Sequence, residues 1–141
     1  MANTPRNNTN QLITNLKICT LNVCGYSERC TMTLNHYIDK EKIDWLATQE
    51  TGTSNEETLK LHNMNFISDT NKAANRGAAL YVNQLHSITK LSTISKMSKN
   101  LDSCWGLVVA HKKKYIVGSI YESMARKLYR VPPHQNGFVN L

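Results

Sequence analysis

Long apolar runs are missing from this sequence. No stretch approaches the roughly 18 consecutive apolar residues that a membrane-spanning helix requires, so that class is excluded. The first fifteen residues carry Arg6 with no apolar segment behind it. A secretory signal is therefore not expected, and the chain reads as intracellular, nuclear or cytoplasmic. Glycine is scarce, at six residues, which rules out a collagen-like repeat. CxxC pairs are absent too. Cys19, Cys24, Cys30 and Cys104 follow C-x4-C-x5-C with a distant fourth cysteine, which matches no common zinc pattern. Without a secretory signal they are expected as reduced, buried thiols. Acidic residues are in deficit, 10 against 17 basic ones, giving a net charge of +7. That balance suits polyanionic partners, because lysine and arginine displace condensed counterions from nucleic acid.

At 141 residues the chain holds one domain at most. Residues 1–15, rich in Asn and Thr, can bury little apolar surface and read as a disordered tail. "LKICTLNV" at 16–23 is β-branched, apolar and stopped by Gly25, which predicts a buried strand. From about Ser27 to Lys42 the period becomes helical, with Leu34, Tyr37 and Ile38 on one face. "IDWLATQE" at 43–50 returns to a strand. Strand, helix and strand at this spacing make a βαβ unit with parallel strands. A short helix near 53–62, brief strands at 66–68 and 78–82, and a period-two strand over 87–95 follow. "WGLVVAHKKKYIVGSIY" predicts a hairpin about a basic turn. After Tyr121 the pattern stops, and Pro132 and Pro133 break regular structure.

Parallel strands joined by a helix finish on one edge of their sheet, where open α/β sheets bind ligands. Asn22 and Glu50 stand at those two ends. A carboxylate with a neutral amide beside it suits a hard cation such as Mg²⁺, and through it a phosphodiester. A plainer reading stays open: Asn22 caps its own turn and Glu50 is a solvated loop residue.

"LKICTLNVCG", "IDWLATQETG", "RGAALYV" and "WGLVVAHKKKYIVGSIY" also resemble, in order and spacing, the endonuclease/exonuclease/phosphatase superfamily. That superfamily includes DNase I, exonuclease III and the apurinic-site endonucleases. The nearest likeness is to the endonuclease domain that opens LINE-type retrotransposon polyproteins, and it covers residues 16–121. The resemblance implies an α/β fold, a partial DNase I-like two-sheet sandwich truncated in its second half. It matches Glu50 to the glutamate that binds the catalytic Mg²⁺ or Mn²⁺. Asn22 matches the asparagine beside that metal, and Tyr121 the tyrosine that faces the phosphate. No small-molecule cofactor is implied, and the expected partner is DNA, held weakly and electrostatically.

The likeness then breaks. Tyr121 is followed by Glu122-Ser123 where the family carries Y-x-P, and its later Asp-x-Asn and Asp-His segments never arrive. Residues 122–141 read as an unrelated or disordered tail. A hydrolase needs a base within hydrogen-bond reach of its water, and none of the histidines offers one by position. The expectation is a divalent-metal-dependent DNA phosphodiesterase fragment that is inactive as this chain, and marginal or aggregation-prone because its sheets lack partners. The alternative is a non-catalytic basic nucleic-acid-binding module or a pseudogene product. "HKKK" at 111–114 reads as a solvated turn or a phosphate contact, and Trp45 and Trp105 as packing residues. Cys24 has no His–Asp arrangement to make it a nucleophile.

Overall fold

The structure, a computed structural model, describes residues 15–69, 76–95 and 101–122. The two expected tails lie outside these, apart from Asn15 and Glu122. Among the described residues, seven strands form two sheets. The first holds β1 (Ile18–Asn22), β2 (Trp45–Gln49), β3 (Met64–Asp69) and β4 (Ala78–Asn83), in the order β1-β2-β4-β3. The second holds β5 (Ser87–Lys90), β6 (Asp102–Ala110) and β7 (Lys113–Tyr121), in that order.

The expected βαβ unit is present. β1 and β2 run parallel, with Asn22 beside Gln49, so both strands end on one edge. Their crossover is α1 (Glu28–Glu41). Ser27 starts it by accepting the Cys30 N–H at 3.1 Å, and Lys42 stops it in the left-handed region at φ 54°. Leu34 and Ile38, four apart, bury its inner face; Tyr37 does not share that face and is 52 % exposed.

β4 explains the layering. Ala79 and Tyr81 point toward α1, where they pack with Leu34, Ile38, Leu46 and Leu61. Ala78, Leu80 and Val82 point the other way, into contacts with Trp45, Cys104, Val108 and Ala110 between the sheets. A strand buried on both faces reads as a continuous apolar run, as "AALYV" does. Each large side chain sequestered here contributes about 1.5–3 kcal/mol. The buried Tyr81 hydroxyl is satisfied by Leu59 O at 2.8 Å and Tyr26 Oη at 2.7 Å. Burial pushes the Tyr26 hydroxyl up to about 12, and that of Tyr81 higher still.

Three expectations need correction. The strand expected over 87–95 stops at Lys90, and Ser92–Ser95 form a helical turn. Ser and Thr as residue types favour local backbone hydrogen bonds over a strand ladder. The cysteines are free but not uniformly buried: Cys104 is buried, Cys19 and Cys30 are partly covered, and Cys24 is exposed. The strand expected to be buried at 16–23 is largely exposed, because β1 edges its sheet, whereas the tryptophans pack as expected, Trp45 in the core and Trp105 half-buried across from Gly118. Among the described residues, β1 and β7 edge their sheets with open flanks, and Ile18, Leu21, Ile116 and Ile120 are 63, 43, 65 and 51 % exposed. No helix of the described residues is long and apolar enough to cross a membrane.

Candidate functional site

The parallel pair places two turns side by side. After β1, Asn22 Oδ1 accepts the Cys24 N–H at 3.0 Å, an Asx turn that holds Cys24 at φ 49°. After β2, Glu50 is itself left-handed at φ 56°. Non-glycine residues in that region cost roughly 1–2 kcal/mol each, so their neighbours must hold them there. Those neighbours are backbone. Val23 N–H donates to Gln49 O at 3.0 Å, Gly25 N–H to Glu50 O at 2.7 Å and Tyr26 N–H to Thr51 O at 2.9 Å. On the far side, Gly52 N–H donates to Arg76 O at 2.7 Å. Glu50 is therefore clasped between the "NVCG" turn and the Arg76–Gly77 segment.

Its carboxylate faces three neutral donors. The Tyr121 hydroxyl, the Asn22 amide and the Cys24 thiol all hydrogen-bond to it. Tyr121 does most to hold it below the usual carboxylate range, Asn22 next. Glu50 is only 8 % exposed, yet it sits at the rim, with little protein beyond its immediate neighbours. Among the described residues the ion pairs are Lys60–Glu57 and Arg76–Asp102, so no cationic side chain neutralises Glu50.

Tyr121 reaches this point because β7 is pinned to the first sheet. Gln49 Nε2 donates to Ser119 Oγ at 2.9 Å and to Thr20 Oγ1 at 3.1 Å, and Ser119 Oγ donates to Thr48 O at 3.1 Å. A second clamp lies alongside. Arg76 Nη2 donates to Asp102 Oδ1 at 2.7 Å and Gly77 N–H to Asp102 Oδ2 at 3.1 Å, while Asp102 stands directly opposite Tyr121 in the ladder. The guanidinium beside Asp102 depresses its carboxyl against the opposing effect of burial.

The structure thus brings Asn22, Glu50 and Tyr121 together. Both readings of Asn22 coexist geometrically: its Oδ1 caps the turn while its N–H faces Glu50. Gln49, Asp102 and Ser119 were missed by the sequence reading, and Cys24 was weighed there only as a nucleophile, not as a partner of Glu50. Cys24, Gln49 and Ser119 lay inside quoted motifs and Asp102 outside them, but Gln49, Asp102 and Ser119 gave no signal of their own, since their partners are far away in sequence. Lys112, Lys113 and Lys114 are exposed at the start of β7, eight strand positions from Tyr121 and hence roughly 25 Å from the site. His86 and His111 pack edge-to-face near the other end of β2, where Trp45 Nε1–H donates to His86 Nδ1 at 3.0 Å.

No group of three or more His, Cys, Asp or Glu side chains among the described residues is placed to hold a metal ion. One carboxylate flanked by an amide still fits Mg²⁺ or Mn²⁺, because Mg²⁺ keeps several waters and is usually held by one or two carboxylates plus substrate phosphates.

No known protein family matches the sequence, and no curated protein matches it. The fold does have a counterpart. A crystal structure of a humanized D. rerio TDP2 with 14 mutations aligns at a TM-score of 0.57 and 14 % identity. The alignment covers 79 % of this chain and 49 % of that one, so the chain spans about half the length of that protein. Likeness at that identity concerns architecture, and the architecture is a partial DNase I-like two-sheet α/β sandwich.

Proposed function

We propose that this chain carries the metal-binding half of a divalent-cation-dependent DNA phosphodiesterase site, of the LINE-type endonuclease kind, and that these 141 residues alone do not cleave DNA. The observation that carries the reading is the Glu50 carboxylate: ionised, covered, and faced by hydroxyl, amide and thiol with no cationic side chain against it among the described residues. Such an anion is completed by a cation from solution.

Glu50 would hold Mg²⁺ or Mn²⁺, and Asn22 would fix the carboxylate's orientation through its amide N–H. When bound, the cation polarises a phosphate and stabilises the leaving oxygen. Tyr121 would turn its hydroxyl from Glu50 toward a phosphate oxygen. No described histidine or second carboxylate is a partner of Glu50, so among the described residues no base stands beside it to activate a water. Loss of general base catalysis alone removes about 10²–10⁴-fold in rate, and lost positioning compounds it.

Nicking of supercoiled plasmid in Mg²⁺, with Glu50→Ala alongside, tests this. Equal background from both proteins is expected. Magnesium-dependent nicking that Glu50→Ala abolishes would show that the half-site suffices and would refute the inactivity.

A further inference from the structure

Arg76 stands at the Glu50 end of the sheets, and the proposed cation site makes no use of it. Its backbone is fixed first. Gly52 N–H donates to Arg76 O at 2.7 Å and Thr51 Oγ1 to the same oxygen at 3.4 Å, so the residue lies against the turn that carries Glu50. Its side chain is fixed next. Asp102 accepts from both Nε and Nη2, and Asp102 is the ladder partner of Tyr121, whose hydroxyl faces Glu50. Opposed residues in an antiparallel ladder have Cβ atoms about 4.5–5.5 Å apart, so the guanidinium lies one side chain away from the phenol.

The pair is not symmetric. The Asp102 side chain is 10 % exposed and that of Arg76 29 %, so the acid lies inside and the cation at the rim. Asp102 also accepts the Gly77 N–H at 3.1 Å, so its charge is shared between two donors. A guanidinium carries five N–H groups and Asp102 occupies two, which leaves donors for a further acceptor. An anion approaching this rim meets those donors before it meets the carboxylate. Lys112, Lys113 and Lys114, roughly 25 Å away, cannot serve the same phosphate.

We propose that Arg76 is a phosphate-positioning residue: oriented by Asp102, it binds a phosphodiester oxygen of the DNA strand that passes Tyr121 and Glu50. This rests on the reading of the Glu50 end as the place where a phosphodiester is engaged, and it requires no bound cation. It also accounts for the residue type. A lysine could pair with Asp102, but only the planar fork holds a carboxylate on one side while offering N–H groups on the other.

The test titrates the metal-free, isotopically labelled full chain with a deoxythymidine tetranucleotide and follows the amides of Gly52, Gly77 and Asp102. Saturable shifts at those three are expected. Arg76→Gln alone leaves a buried carboxylate uncompensated, so the informative variant is Arg76→Gln with Asp102→Asn, which removes both charges. It should weaken binding read at these amides by about 10-fold or more, the usual contribution of a hydrogen bond to a charged group. Asp102→Asn alone should tighten binding, because the guanidinium loses its competing anion. Urea unfolding of each variant separates lost binding from lost fold. Absent shifts in the unaltered chain, shifts that survive the double substitution, or weaker binding in folded Asp102→Asn each overturn the proposal. Mn²⁺ binding that ignores Glu50→Gln, beside a tetranucleotide response that needs Arg76, would sink the Glu50 cation site and support this one. Glu50-dependent Mn²⁺ binding with no such response would sink this one alone.

Discussion

Glu50 and His86 illustrate how neighbours decide what a side chain can do. Glu50 stays charged because everything facing it donates. His86 is pressed toward neutrality, because Trp45 Nε1–H donates to its Nδ1 and a proton there would break that bond. Burial lowers the His86 pKa from 6.5, the nearby His111 lowers it further, and Asp44 opposes both. A histidine whose folded pKa lies below its unfolded value contributes stability that is full above about pH 6.5 and lost as pH falls through the folded value. The melting temperature is therefore expected to drop below about pH 6.5, with His86→Gln flattening the slope there. An unchanged slope in His86→Gln would assign the acid sensitivity elsewhere. Asn22, Glu50 and Tyr121 were legible because each ends a strand inside a recognisable motif. The His86–Trp45 bond was not, since it joins residues 41 apart whose types carry no mutual signal.

The elements were mostly legible where one period ran uninterrupted. α1 declared itself through Ser27, Leu34 and Ile38, and β4 through five consecutive buried residues. β3 proved longer than its kernel "FIS", because Asn65 and Asp69 at its flanks take ladder positions that a polarity reading assigns to loops. The β6–β7 hairpin was visible as two apolar runs about a basic turn, but its packing was not. Gly118 pairs with Trp105, and a Cβ at Gly118 would lie 2.5 Å from the indole's Cε3. The indole cannot fold away as a flexible chain end would. Gly118→Ala is expected to destabilise the protein by about 1–3 kcal/mol, measured by urea unfolding. A neutral result would mean that the ring swings clear of β7. Asp102 shows the limit of strand reading: it starts β6, yet its importance comes from Arg76 and Gly77, in the segment that leads into β4 of the other sheet.

Across the whole molecule, the two sheets place the Glu50 carboxylate and a basic end far apart. Glu50 marks one pole, and Lys112, Lys113 and Lys114 stand near the other. On the proposed reading, DNA bound by those lysines would be held as a polyanion, away from Glu50. Binding is expected to weaken about ten-fold for a four-fold rise in salt if only two phosphates are neutralised. Affinity that ignores salt would contradict an electrostatic mode. The layered sandwich was readable from motif order. The exposed apolar side chains of β7 followed from it, whereas those of β1, read as a buried strand, did not. The central claim is narrower than any of these: the turn after β2 presents a carboxylate that binds a divalent cation. Titrating isotopically labelled protein with Mn²⁺ and recording amide line-broadening tests it most directly. Broadening confined to residues around Asn22–Gly25, Gln49–Thr51 and Tyr121, and abolished by Glu50→Gln, is the expected result. Broadening that survives Glu50→Gln, or that centres on another part of the surface, would contradict it.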